Sequence, residues 1–359
     1  MSDSFGAMMT DAHESHSRSG SFRTVFAAAA VFAIAAGGCT WMQEGSTKST
    51  DATQAPAPAP VSPTNTAAAA DSVSRAKMAQ LKGDLDSARA EFERAIAENP
   101  TLTIAYLGAG DIDRQRGDFR AAERNYAKAA EVEPGNFDAQ YGHGLMLQTL
   151  SRLNEAVRAY LRALTIRPDD LSANLNLGTT YLQLGEPAQG LGYAQKAARI
   201  DPKNAAARTN LGAIYASLGR HAEAVVEYQQ ASELTELTPP LLLNLADSLG
   251  KINRLEEMVN TLRQAIELEP SATAYERLGS GQFRLRYYDD SLISFRKAAE
   301  LDPGFYPALN GIAVCRLNQF VWSNRTDQAA REEALQLMRK SLQIERRQPK
   351  IVDLLSRYQ

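Results

Sequence analysis

Pro100, Pro134, Pro168 and Pro202 follow one another at intervals of 34 residues, and the rest of the chain falls into columns on the same ruler. Ala95, Ala129, Ala163, Ala197, Ala231 and Ala265 hold one column, and Ala88, Ala122, Ala156, Gly190 and Ala224 hold a second of small residues. Phe92, Tyr126, Tyr160 and Tyr228 form an aromatic column. Gly110, Gly144, Gly178 and Gly212 form a fourth, and Gly83, Gly117, Ser151, Gly185 and Gly219 a fifth. A period of this size constrains the architecture more than any single motif does. One such unit cannot bury its own apolar face, whereas a stack of neighbours can. Small residues mark where two helices approach closely. The large aromatic fills the space between one unit and the next. The glycines of the fifth column suit a left-handed cap at the end of a first helix, and the prolines cannot continue a second one.

The pattern predicts an all-α chain of helix–turn–helix units starting near 69, 103, 137, 171, 205, 239, 272 and 306. The sixth is degenerate, with Ala246, Met258 and Leu262 where Gly, Ala and the aromatic stand elsewhere. The eighth opens on Gly311-Ile312-Ala313, but Glu333-Ala334-Leu335 arrives about nine residues late. Phe320, Val321 and Trp322 lie in the extra segment, and three consecutive residues cannot all point into one helical seam. Two readings stand: the segment folds back as a lid on the last unit, or it exposes Phe320 or Trp322 as a secondary partner contact. Beyond Pro349, the Ile351, Leu354, Leu355, Tyr358 stripe predicts a capping helix over 350–359.

Leu177-Gly178, Tyr181, Gly185, Ala197 and Pro202 of the fourth unit resemble the tetratricopeptide repeat (TPR) family. So do Leu211-Gly212, Tyr215, Gly219, Ala224, Tyr228 and Ala231 of the fifth. The resemblance covers residues 71–349 and implies a right-handed superhelical solenoid of eight units. It implies further that first helices line a concave groove and second helices the convex face. Asn176, Asn210 and Asn244 then share one groove position. An amide offers both donor and acceptor, so such a ladder can pair with the backbone of an extended peptide, as in the repeats of O-GlcNAc transferase. Asn is also common at this position in the family for structural reasons. Beside it runs a mainly apolar stripe of Leu107, Tyr141, Leu175, Thr209 and Leu243, part of which packing within the array could consume. The family's Lys–Asn clamp for a C-terminal carboxylate finds no counterpart at these positions.

The first seventy residues are different material. Arg18 and Arg23 precede an apolar run from Val25 to Ala36, too short to span a bilayer, where about 20 residues are needed. Cations, a short apolar core and small residues together predict a secretory signal over 1–38. The acids Asp11 and Glu14 and the length of the polar stretch suit a later start, at Met8 or Met9. Ala36-Gly37-Gly38-Cys39 resembles a bacterial lipobox, with Ala36 where leucine is usual, which makes Cys39 the lipidated residue. Ordinary cleavage after Ala33-Ile34-Ala35, or a buried alanine-rich helix, are the other readings. From 39 to 70 the Ser, Thr, Ala and Pro content predicts a disordered tether.

A formal net charge of -3 over 359 residues argues against a nucleic-acid partner. With Cys39 lipidated, Cys315 has no disulfide partner and reads as a buried small hydrophobe. His143 occupies a column of leucines and reads as a core substitution; His221 follows a turn. No His, Cys, Asp or Glu set has metal-ligand spacing, and the Gly-x-Gly pairs at 108, 142 and 279 lie on helices with no strand before them. No cofactor, metal, small-molecule substrate or catalytic residue is expected. The expectation is a non-enzymatic scaffold or assembly factor, lipid-anchored in a bacterial envelope and facing the periplasm or exterior, that binds a partner protein or peptide segment. The family's lipoproteins in pilus biogenesis and cell-wall enzyme recruitment imply the same. The alternatives are a non-catalytic subunit regulating a glycosyltransferase or cell-wall hydrolase, and an intracellular adaptor.

Overall fold

The computed structural model describes residues 63–359, which divide into two compact bodies, one ending at Pro168 and one running from Asp169 to Gln359. Among the described residues are seventeen α-helices and no strand. The first body holds α1 (Pro63–Leu81), α2 (Leu85–Glu98), α3 (Thr103–Gln115), α4 (Phe119–Val132), α5 (Phe137–Thr149) and α6 (Leu153–Ile166). The second holds α7 (Leu171–Gln183), α8 (Pro187–Ile200), α9 (Ala205–Ser217), α10 (His221–Leu234), α11 (Pro239–Lys251) and α12 (Leu255–Leu268). It continues with α13 (Ala272–Arg284), α14 (Tyr288–Leu301), α15 (Tyr306–Trp322), α16 (Gln328–Ile344) and α17 (Pro349–Tyr358). Odd and even helices pair as antiparallel hairpins, and within each body every hairpin packs on the next. In the second body the first helices also touch in succession, α7 with α9, α9 with α11 and α13 with α15.

Local chemistry sets the helix ends. Asp84, Asp118, Asn136, Asp170, Asn204, Ser271 and Asp327 each accept the backbone N–H three residues on, which satisfies an orphan donor of the first turn. Between the helices of most hairpins the chain passes through the left-handed region. Gly83, Gly117, Gly185 and Gly219 sit there with φ of 74° to 80°. Ser151, Asn253 and Arg286 occupy the same place at 60°, 63° and 65°. The following amide then bonds back into the helix, as Arg152 N–H does to Leu147 O at 2.8 Å, closing a Schellman-type cap.

At two hairpins the aromatic sits between two glycines. A Cβ at Gly110 would lie 3.2 Å from Tyr126 within the same hairpin, and one at Gly142, on the next hairpin, 2.6 Å from the same ring. Phe295 lies likewise between Gly279 and Gly311, at 3.0 and 2.3 Å. Where the aromatic is missing, at Ala194, the hairpin closes by other means: Gly190 lies so near Gly178 that a Cβ would meet its carbonyl oxygen at 2.9 Å.

Two edges of the array depart from the simple repeat. The stretch expected as tether reaches residue 70, but α1 begins at Pro63, because Pro suits the first turn and the alanines after it favour helix. Ala69 is buried, and Val73 and Ala76 join a core with Phe92. The expected signal peptide and Cys39 lie outside the described residues. At the other end the extra residues lengthen α15 and α16 to 17 residues each, joined through Asn324 and Arg325 at positive φ. α17 then buries Ile351 and Leu354, with Leu355 and Tyr358 packed beside them.

Candidate functional site

The asparagine positions lie on the first helices of the second body, where they meet different fates. Asn210 of α9 is only 8% exposed. Its amide donates to the carbonyl of Leu175 at 3.1 Å and to Thr179 Oγ1, both on α7. It is a bracket between successive hairpins, so the expectation that Asn210 faces a groove is corrected. The physical reason lies one hairpin back. Ala194 leaves open the volume that Phe92, Tyr126 and Phe295 fill elsewhere, where glycine stands at the corresponding ladder position as Gly108, Gly142 and Gly311. The same bracket recurs on α13, where Arg277 occupies the ladder position. Its Nη1 reaches Leu243 O at 3.4 Å and Asp247 Oδ2 at 2.9 Å, the columns that Leu175 and Thr179 occupy one bracket earlier. Between these two brackets stands Asn244, half-buried on α11. Ala213, the counterpart of Thr179 and Asp247, offers its side chain no acceptor.

The apolar stripe divides in the same way. Leu243 is 7% exposed and belongs to the core of the second body, so it does not line a surface. Leu175 and Asn176 are half-buried on α7. Tyr141, in the first body, is half-buried too, with its ring stacked on Phe137 at 5.7 Å and tilted against Tyr160 at 5.9 Å. Arg167 covers Phe137 at 4.3 Å. The structure therefore brings Leu175 and Asn176 together on α7, leaves Asn244 accessible on α11, and withdraws Asn210 and Leu243 into packing. Arg277 was legible only by stepping the ruler 33 residues from Asn244 across the degenerate sixth unit.

In the eighth hairpin Phe320 is 6% exposed, with its ring edge-on to Tyr358 of α17 at 6.3 Å, which makes it a packing residue and corrects its reading as a partner contact. Trp322 at the end of α15 is 68% exposed and lies 6.0 Å from the ring of Tyr288. Cys315 is buried against Ser291, and burial pushes its thiol up to about 12, so it stays protonated and unreactive at neutral pH. His143 is not an apolar substitute. It is half-buried and bonded at 3.2 Å to Glu123, which also pairs with Arg152 at 3.0 Å. Burial outweighs the carboxylate and lowers its pKa. Burial likewise lowers His221 at the start of α10. Among the described residues no group of three or more His, Cys, Asp or Glu could hold a metal ion, and no helix is long and apolar enough to cross a membrane.

Comparison with known proteins agrees with this geometry. Residues 107–170 and 175–239 match one tetratricopeptide repeat model, and 239–271 match another. A tetratricopeptide repeat protein from Parabacteroides merdae is 18% identical with a TM-score of 0.50, the likeness covering 69% of this chain and 99% of that one. The Cut9–Hcn1 hetero-tetramer of the APC/C is also 18% identical with a TM-score of 0.52, covering 76% of this chain and 52% of that one. At this identity the likeness speaks to fold. No curated protein sequence matches the chain. With helix pairs in register and repeat models matched along the middle of the chain, the fold is an all-α stack and the chain carries tetratricopeptide repeats.

Proposed function

We propose that this protein is a non-enzymatic scaffold that holds a segment of a partner protein against the first-helix face of its second body. The accessible pattern on that face carries the reading: half-buried Asn176 beside half-buried Leu175 on α7, and half-buried Asn244 on α11. Amides interspersed with apolar side chains suit an extended segment that offers backbone donors and acceptors along with alternate side chains. The brackets at Asn210 and Arg277 hold successive first helices in register, which preorganises the face and lowers the ordering cost of binding. Anchoring through a lipid on Cys39 would place this face near a bacterial envelope membrane, on the periplasmic or exterior side. The lipobox-like Ala36-Gly37-Gly38-Cys39 after a short apolar run supports that placement. The formal net charge of -3 fits a protein partner better than a nucleic acid.

The test has two separable arms. Crosslinking capture from membranes should lose its main partner when Asn176 and Asn244 are both replaced by Ala, with helical signal unchanged; undiminished capture refutes the role of this face. Cys39→Ala should release the protein from the membrane fraction. Unchanged fractionation, with no lipid adduct in the intact mass of the parent protein, refutes the anchor while leaving the binding face standing.

A further inference from the structure

The packing of the repeats leaves a cleft near the C-terminal end unexplained. It opens between the start of α14 and the end of α15, encloses about 430 Å³, and is walled by Tyr288 and Trp322. Asp289 and Asp290 stand on its rim, in the first turn of α14, and neither forms an ion pair among the described residues. Arg286 also lines the cleft without pairing to either aspartate. Acids in a first turn complement the helix dipole, which accounts for their position. It does not account for Asn318. That side chain is 6% exposed, lines the cleft, and makes no hydrogen bond with any other described residue. Its amide nitrogen and oxygen still touch the solvent of the cleft, where a ligand can take the place of water. Nor does packing account for Trp322, an indole left 68% exposed beside these groups.

We infer that this cleft binds an arginine side chain of a partner protein. Its volume falls within the range of sites that enclose a compact ligand group. The Tyr288 and Trp322 rings are 6.0 Å apart and inclined by 57°, so a flat group cannot slide between them. It can lie on the open face of Trp322, where an aromatic quadrupole attracts a cation. A guanidinium there directs its N–H groups outward in its own plane. Asn318 Oδ1 accepts at the floor and the Asp289 or Asp290 carboxylate accepts at the rim. An ammonium would satisfy the charge but lacks the planar fork. The site lies at the turn before α14 and the end of α15 and uses none of Leu175, Asn176 and Asn244, so it stands or falls separately from the face proposed above.

The chain has two tryptophans, Trp41 and Trp322, so Trp41→Phe in the full-length protein leaves Trp322 as the sole indole reporter. Titration with N-acetylarginine amide should change its emission saturably. Affinity should be about ten-fold or more above that for the uncharged N-acetylcitrulline amide, as expected for losing a charge-assisted hydrogen bond. The Asp289→Asn, Asp290→Asn double variant and the Asn318→Leu variant should each weaken it by a comparable factor. No saturable change, an equal response to the citrulline compound, or equal affinity for N-acetyllysine amide would overturn the assignment. The ligand comparison is made on the parent cleft, so it decides the matter even if Asn318→Leu does not fold.

Discussion

Gly311→Ala tests the logic of the aromatic column. A Cβ at this position would lie 2.3, 2.4 and 2.5 Å from three atoms of the Phe295 ring, where carbon atoms ordinarily approach to about 3.5–4.0 Å. The ring is fully buried and cannot retreat toward its own hairpin, because Gly279 already stands at contact there, with a Cβ position 3.0 Å away. Two effects compete. Alanine is favoured over glycine inside a helix by about 1 kcal/mol, whereas overpacking a filled core costs about 1–3 kcal/mol. Three ring atoms roughly 1 Å inside ordinary contact put the clash at the upper end of that range, so the net effect is a destabilisation of about 2 kcal/mol. In a Phe295→Leu background the obstacle shrinks, and Gly311→Ala should become neutral or stabilising by up to about 1 kcal/mol. Urea unfolding of the four proteins, followed by far-UV circular dichroism with midpoints and m-values compared, measures the coupling. A higher midpoint for Gly311→Ala in the parent chain, or the same penalty in both backgrounds, would refute the reasoning.

Asn210→Ala should cost about 1–2 kcal/mol, through loss of the bonds to Leu175 O and Thr179, while Asn244→Ala changes stability by less than about 0.5 kcal/mol; urea midpoints of equal depth for the two would contradict the bracket. Ser151→Gly should stabilise by about 1 kcal/mol, because Ser151 holds a φ of 60° that glycine adopts without strain, and a thermal melt reads the gain. His143, its pKa lowered by burial, is neutral in the fold and binds protons more readily once unfolded. Stability is therefore complete above the ordinary histidine value of about 6.5 and falls as pH drops below it. His143→Gln should flatten the stability profile below about pH 6.5, and an unchanged slope would assign that dependence to other groups.

The helix starts at Thr103, Phe137, Leu171, Ala205, Pro239, Ala272 and Tyr306 lie where the periodic columns put them. Caps, turn residues and small-residue columns act over a few positions of the chain, so each unit announces its own boundaries. The left-handed turns at Gly83, Gly117, Gly185 and Gly219, the buried thiol of Cys315 and the exposure of part of Phe320-Val321-Trp322 were legible for the same local reasons. The fate of the asparagine column was not. Whether Asn210 meets a ligand or the carbonyl of Leu175 depends on how closely two first helices approach and on the bulk at position 194 of the helix between them. Leu243 and Phe320 were withdrawn, and Tyr288, Asn318 and Trp322 gathered around one cleft, by contacts that cross from one hairpin or helix to the next. Periodicity in the sequence decided the units and their order. Which polar groups remained for a partner was decided only when neighbouring units packed, because a hydrogen bond goes to whichever acceptor the packing brings within reach.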